Sequence, residues 1–248
     1  MGRVAVVTGG SRGIGAATAR RLAAAGWDMA LAYRIETAAA EDVAAACRAA
    51  GRQAIALRAD VSVEDDVVAL FAAVDEALGP PGALVNNAGI TDVAARLDEL
   101  DGARIARMFA VNVLGSMLCA REAVRRMSTA HGGQGGAIVN VSSAASRHGS
   151  PGEYVDYAAS KAAVDTMTIG LAKEVATEGI RVNAVRPGII RTDIHAATGQ
   201  PDRIERLRDQ IPMRRAGEAE EIAAAIVWLT SDEASYVTGA LLDVAGGR

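Results

Sequence analysis

The sequence predicts an α/β fold, a doubly wound parallel sheet covered by helices on both faces. Three observations carry this. Short apolar runs alternate with longer Ala-rich amphipathic stretches along the whole chain, the pattern of successive βαβ units. Val4–Val7 is apolar without alternation, as a strand buried on both faces requires. Directly after it comes Gly9-Gly10-Ser11-Arg12-Gly13-Ile14-Gly15, a glycine-rich turn between the first strand and the first helix. Right-handed crossovers then put ligands at the carboxyl ends of the strands.

The elements follow in order. After the strand at 4–7, residues 13–25 are helical and 29–33 form a second strand. A helix at 37–50 ends at Gly51, a residue suited to a helix C-terminus. A strand at 54–58 leads into a helix at 63–78, stopped by Gly79-Pro80-Pro81. Residues 83–85 make a fourth strand, and 98–127 one broken helix or two successive ones. Gly132–Gly136 reads as a flexible loop before a strand at 137–141. A long helix fills 156–177 and ends at Gly179, with a strand at 181–185 beyond it. A polar loop at 187–215 carries a short helix at 202–209; a helix at 218–230 and a strand at 240–244 complete seven strands.

Composition bounds the function. The chain has 248 residues, half of them hydrophobic and 23% charged, with a net charge of -4. That is one globular domain, 1–248, and excludes intrinsic disorder. Aromatics are only 3%, which leaves few stacking platforms for single-stranded nucleic acid. The acidic balance also argues against a nucleic-acid partner. Cys47 and Cys119 are too few for a disulfide framework and suit a reducing compartment. The first fifteen residues do not read as a signal peptide, because Thr8-Gly9-Gly10 interrupts the apolar run. No stretch reads as an apolar span of roughly 20 residues, so a cytoplasmic protein with no membrane partner is expected. His131, His148 and His195 are scattered, and no Cys/His spacing suggests a metal.

The glycine-rich turn lets backbone approach a pyrophosphate, whose charge meets a helix N-terminus. An NAD enzyme usually places an acid at the end of the second strand. Here that strand ends Ala32-Tyr33-Arg34, so Arg34, with Arg12 from the glycine turn, offers cations to a 2′-phosphate; the alternative is two solvated surface arginines. Glu36 weakens the NADP reading slightly. Asp60 and Val61, after the third strand, suit an adenine contact, though an Asp there also suits a helix cap. In Asn86-Asn87-Ala88-Gly89, Asn86 suits a structural tie, while Asn87 and Gly89 suit cofactor contact.

Tyr157 and Lys161 are four residues apart, so a helix sets phenol and ammonium on one face. A nearby cation favours the phenolate and makes the tyrosine a usable proton shuttle; the plain alternative is a tyrosine packed on a lysine stem. Tyr154 lacks such a partner, since residue 158 is Ala. Ser142 and Ser143 end the fifth strand, where a hydroxyl can reach a substrate carbonyl or simply cap a turn. Asn112 sits inside a helical run, where asparagine is a poor choice on propensity. It is a tolerated surface residue or one that binds a water or backbone group.

Taken together, residues 8–15, 86–89, Asn112, Ser142-Ser143, Tyr157-Ala-Ala-Ser-Lys161 and Arg186–Thr192 stand in an order that resembles the short-chain dehydrogenase/reductase family over essentially the whole chain. The resemblance implies a Rossmann-type sheet, a nicotinamide cofactor, and hydride transfer between it and a carbonyl or secondary alcohol. It implies a tetrad of Ser143, Tyr157, Lys161 and Asn112. Ser143 would bond the carbonyl oxygen, Tyr157 would protonate it, Lys161 would lower the tyrosine's pKa, and Asn112 would anchor a relay water. It also implies a cofactor set of Gly9, Ser11, Arg12, Gly13, Ile14, Gly15, Arg34, Asp60, Val61, Asn87, Ala88, Gly89, Tyr157, Lys161, Pro187, Gly188, Ile190 and Thr192. NADP(H) is expected ahead of NAD(H), and a homotetramer as the assembly. The other class to weigh is a non-catalytic dinucleotide sensor on the same fold, which typically lacks the tyrosine or lysine.

Two departures stand out. The family's serine commonly precedes its tyrosine by thirteen positions, which here falls on Ala144. One extra residue within 152–156 keeps Ser143 in place as the catalytic hydroxyl. Val244-Ala-Gly-Gly247 replaces the usual Val-Asp-Gly-Gly, expected to lie far from the chemistry. The stretch 146–161 resembles the glucose 1-dehydrogenase-like or 3-oxoacyl-carrier-protein-reductase-like subgroup, labels that do not fix the substrate. Specificity is expected from 144–156 and 189–215. The latter carries Arg191, His195, Arg203, Arg206, Arg208, Arg214 and Arg215 beside Asp193, Asp202, Glu205 and Asp209, a basic recognition cluster or a solvated lid.

Overall fold

The computed structural model describes residues 3–192 and 203–248. Seven parallel strands form one sheet: β1 (Arg3–Thr8), β2 (Trp27–Tyr33), β3 (Ala54–Arg58), β4 (Ala83–Asn86), β5 (Gly136–Val141), β6 (Ile180–Pro187) and β7 (Leu241–Val244). Their order is β3-β2-β1-β4-β5-β6-β7. The chain winds outward from β1 to β3, then returns to lay β4 against the other side of β1. That reversal opens a crevice at the carboxyl ends of β1 and β4, the usual ligand position in such sheets.

Helices cover both faces. The described helices are α1 (Gly13–Ala24), α2 (Thr37–Ala49), α3 (Glu64–Leu78), α4 (Gly102–Phe109), α5 (Gly115–Met127), α6 (Ala145–His148), α7 (Val155–Val175), α8 (Arg203–Leu207) and α9 (Ala219–Thr230). Strand alternation explains the unbroken apolar run of β1. Ala5 and Val7 pack with Leu22, Leu31, Ile222 and Ile226 in one core layer. Val4 and Val6 face the other layer, with Phe71, Leu84, Met127 and Ile138.

The stretch expected at 98–127 resolves into α4 and α5 joined by a π-helical turn, Ala110–Leu114. The 26-residue run Gly102–Met127 contains an 18-residue window with a mean hydropathy of 1.3, after all long and apolar enough for a membrane by length and composition. Here it is a core helix. Met108, Leu118, Cys119, Ala123 and Met127 are buried, while Arg104, Arg121 and Arg126 pair with Asp156, Glu64 and Asp75.

Gly132–Gly136 is not a slack loop. The Gly135 amide donates to Met127 O at 2.7 Å, and Gly136 donates to Gly179 O at 3.0 Å as the first residue of β5. Two features were not expected. They are the short helix α6, and a two-residue parallel bridge of Ile190–Arg191 with Gly217–Glu218.

Candidate active site

A single cleft of about 490 Å³ runs across the carboxyl ends of the strands. One end lies under the glycine turn and β2, the other beside the residues that follow β5. Of the expected cofactor residues, all but Gly15 line it.

The glycine turn is built for close approach. Gly9 has φ +64°, and a Cβ at Gly15 would overlap Gly9 O and come within 2.5 Å of Asn87 Nδ2. Gly15 therefore supports the cradle from behind and does not itself line the cleft. Asn87 does both jobs. It lines the cleft, and its amide donates to Thr8 O (2.9 Å) and Gly9 O (3.0 Å), tying the β4 loop to the glycine turn. Asn86 is the structural tie expected of it, donating to Ser116 O and Asn140 Oδ1, both at 3.0 Å.

At the β2 end, Arg12 and Arg34 are exposed on the rim. Arg34 stands 3.7 Å from Asp60. Asp60 also accepts from the Ser62 amide (3.0 Å) and hydroxyl (2.6 Å). Burial pushes its carboxyl up, but these hydrogen bonds and Arg34 together hold it below its ordinary value. Asp60 is thus both a turn former and a wall of the cleft.

At the β5 end the two serines diverge. Ser142 is 2% exposed and donates to Lys161 O at 3.1 Å. Ser143 lines the cleft with Tyr157, close enough for its hydroxyl to lower the phenol's pKa, and it accepts from the Ala145 amide at 3.1 Å. Between α6 and α7 the chain makes a turn at 149–153, just ahead of Tyr157. Gly149 and Gly152 take φ of 73° and 75° and Ser150 a φ of 45°. The Glu153 and Tyr154 amides both donate to Ser150 O.

Lys161 is 5% exposed. Its ammonium donates to Val141 O at 2.8 Å and lies 5.7 Å from the centre of the Tyr157 ring. Burial brings it down to about 8, with Asp165 pulling the other way. Tyr157 differs from the sequence expectation. Burial raises its pKa, and the nearby Ser143 hydroxyl offsets this only in part. Lys161 does not make it a low-pKa phenol in the free protein, because its ammonium is engaged by a backbone carbonyl and burial acts on both groups.

Asn112 lies in the π-helical turn, fully buried, and does not line the cleft. Its Oδ1 accepts from the Ile90 amide at 2.8 Å; its Nδ2 donates to Ile90 O and Ser160 Oγ, both at 3.0 Å. Ser160 in turn donates to Tyr157 O at 2.7 Å. The side chain is a brace that ties the π-helical turn to Ile90 and to Ser160 of α7. A wider helical turn is what frees such a side chain to bond sideways, and such turns recur at functional sites. Gly89 packs into this brace: a Cβ there would stand 3.3 Å from both Asn112 Oδ1 and Lys161 Nζ.

Sequence reasoning missed several residues on the cleft wall: Ile90, Thr91, His148, Ser150, Tyr154, Ile189 and Arg248. Tyr154 was set aside for lack of a lysine, yet α7 begins at the next residue and holds its ring against the cleft. Nothing in the sequence points to Arg248. The 244–247 segment is also not remote, because Ala245 packs against Gly188, where a Cβ would meet its Cα at 2.8 Å. The described arginines of the 189–215 segment are on the surface in ion pairs. Arg191 meets Glu218, Arg206 Glu153, Arg208 Glu205, Arg214 Asp209 and Arg215 Glu221. Apart from Thr192, only Ile189 and Ile190 of that segment line the cleft among the described residues. Asp193, His195, Asp202 and the Arg203 side chain lie outside them.

Comparison with known proteins agrees with this fold. A family model described as Enoyl-(Acyl carrier protein) reductase matches residues 9–248. The chain is 56% identical to an uncharacterized oxidoreductase, YgfF, of Escherichia coli (strain K12), over 99% of each. It is 44% identical to a cis-4-hydroxycyclohexanecarboxylate dehydrogenase of Sinomonas cyclohexanicum, over 99% of this chain and 96% of that one. Among solved structures, a short-chain dehydrogenase from Burkholderia cenocepacia J2315 in complex with NADP superposes with a TM-score of 0.90 at 36% identity, covering 100% of this chain and 98% of that one. On fold, motif order and these likenesses, the chain belongs to the short-chain dehydrogenase/reductase family of oxidoreductases.

Proposed function

We propose that the protein interconverts a ketone and a secondary alcohol, with NADP(H) as the hydride carrier. The observation that carries this is the meeting of Ser143, Tyr157 and Lys161 on one wall, with the Lys161 ammonium 5.7 Å from the centre of the Tyr157 ring. It lies in the same cleft as the glycine turn.

The residues present fit a dinucleotide. Gly9 and Gly15 leave a cradle that side chains would fill, and the turn runs into the N-terminus of α1, where a pyrophosphate is favoured. Arg12 and Arg34, without an acid at the end of β2, suit the 2′-phosphate of NADP. Asp60 and Val61 suit the adenine; Asn87, Ala88, Gly89 and Lys161 the ribose side; Pro187, Gly188, Ile190 and Thr192 the nicotinamide side. Bound there, the nicotinamide supplies or accepts the hydride.

The chain's own groups do the rest. In reduction, Ser143 donates a hydrogen bond to the substrate oxygen, and the Tyr157 hydroxyl gives it a proton. A raised phenol pKa suits this direction, since Tyr157 then carries its proton at neutral pH. Lys161 keeps a cation beside the phenol as the proton leaves. Asn112 acts one layer out, through Ser160, to hold the Tyr157 backbone. A non-catalytic sensor would bind nicotinamide without turning it over. Loss of reduced-nicotinamide absorbance on a ketone panel, with kcat/KM compared for NADPH and NADH, tests both parts. NADPH oxidation with NADPH preferred supports the reading; binding without oxidation, or a preference for NADH, sinks it.

We also propose a homotetramer in the cytoplasm. Exposed Phe109, Leu114, Met117 and Ile169 on the α4–α5 run and α7 support assembly, and two buried free thiols support a reducing compartment. Sedimentation showing only a 25.5 kDa species would refute the tetramer.

A further inference from the structure

Cationic side chains line the cleft at both ends, but the cofactor accounts for one end alone. Arg12 and Arg34 belong to the glycine turn and β2. His148 and Arg248 belong to the end beside Ser143 and Tyr157, since His148 lies five residues after Ser143 on α6. In the sheet order, β2 and β5 are three strand steps apart, about 14 Å at the usual spacing.

Arg248 is part-buried, lines the cleft and lies near enough to His148 for its charge to act on the imidazole. Burial first, then Arg248 and Arg147, hold that imidazole below its ordinary pKa, with Asp243 opposing. The neighbouring cations are neutralised: Arg147 pairs with Asp243 at 2.5 Å, and Arg186 pairs with Asp165 at 2.9 Å. Arg248 makes no ion pair with any described residue. The described carboxylates on the cleft wall, Glu36 and Asp60, are both at the far end with Arg34. The remaining walls near Tyr157 are largely apolar, formed by Ile90, Ala144, Tyr154 and Ile189.

A part-buried guanidinium with no ion pair to a described side chain, beside the His148 imidazole, is matched by an anion brought in with the substrate. An arginine fork suits a carboxylate or phosphate. Resting on the oxidoreductase reading above, we infer that the substrate is an anionic carbonyl compound, a keto acid or its hydroxy acid. Its charged group is held by Arg248 and His148 while its carbonyl meets Ser143 and Tyr157.

The test pairs each acid with its neutral counterpart: acetoacetate and levulinate against their methyl esters, and dihydroxyacetone phosphate against dihydroxyacetone. Two readouts are taken on the NADPH complex, kcat/KM and the change in bound-NADPH fluorescence on titration. A charge-assisted hydrogen bond predicts a preference for the charged member of about ten- to hundred-fold. Arg248→Gln should collapse that ratio toward one, and Arg248→Lys should keep part of it. A preference confined to the phosphate pair keeps the anion site and identifies the group as phosphate. Equal or better use of the neutral members overturns the inference. So does a ratio that Arg248→Gln leaves intact, or charged members that neither bind nor react. Arg248-dependent binding of the acids with no turnover of anything would keep the anion site and sink the oxidoreductase reading instead.

Discussion

At the β5 end of the cleft the functional side chains are held by buried hydrogen bonds; at the β2 end they reach out from exposed positions on the rim. Lys161 is fixed by Val141 O, and the Tyr157 backbone, through Ser160, by Asn112. Arg12 and Arg34 have no such anchoring, and Arg34 has one loose partner in Asp60 at 3.7 Å. The difference separates two tasks. Proton transfer needs groups placed to within fractions of an ångström, so that end is braced by the core. Recognition of a cofactor phosphate needs only charge at reach, so that end can change without disturbing the fold.

The sharpest way to break this contrast is at the serine pair. Ser143→Ala should lower kcat by about 10²–10³, as removal of a donor to a developing oxyanion does, with NADPH affinity kept. Ser142→Ala should lower it only a few-fold. Steady-state kinetics and a cofactor titration on both variants check this, and a reversed pattern would reassign the catalytic hydroxyl.

At the other end, Arg34→Asp should reduce the NADPH-to-NADH ratio of kcat/KM by about ten- to hundred-fold, the worth of one charge-assisted hydrogen bond. Because the side chain is exposed, Tm should stay near that of the parent. An unchanged ratio, or a large fall in Tm, would mean that this end is not the independent rim described here.

The pH dependence sharpens the same contrast. Lys161 is held down at about 8 in the free protein, so its cation is present below that pH and lost above it. The kcat/KM for NADPH, which reports the free protein, should fall above pH of about 8 by up to tenfold per unit. Lys161→Arg should move that limb upward. A flat profile through that pH would show that the charge on Lys161 is not needed.

The smallest effect concerns stability. Ser142→Ala removes one buried hydrogen bond, to Lys161 O, and should cost about 1 kcal/mol in denaturant unfolding. No measurable cost would remove Ser142 from the brace.

How much of this was legible in the sequence follows the same division. The unbroken apolar strands, the glycine turn and the Tyr157–Lys161 spacing are local patterns, and each fixed its element to within a residue or two. Asn112 was visible as an anomaly, but its partners, Ile90 and Ser160, are 22 and 48 residues away. Its job as a brace emerged only once β4, α4 and α7 were brought together. The tyrosine's pKa could not be read from spacing, because a lysine four residues on acts by its charge while burial acts by the surrounding fold. Arg248 left no pattern at all. It reaches the cleft because β7 runs beside β6 and turns its end toward Gly188.

The most direct test of the central assignment separates binding from chemistry at Tyr157. Wild type and Tyr157→Phe would each be mixed with NADPH and a reactive ketone, and bound-cofactor fluorescence and NADPH oxidation would be followed together. The account predicts similar NADPH binding by both, oxidation by the wild type, and a loss of about 10²–10⁴ in the variant, which lacks the proton donor. Oxidation by Tyr157→Phe at close to the wild-type rate would contradict it, as would a wild type that binds NADPH and never oxidises it.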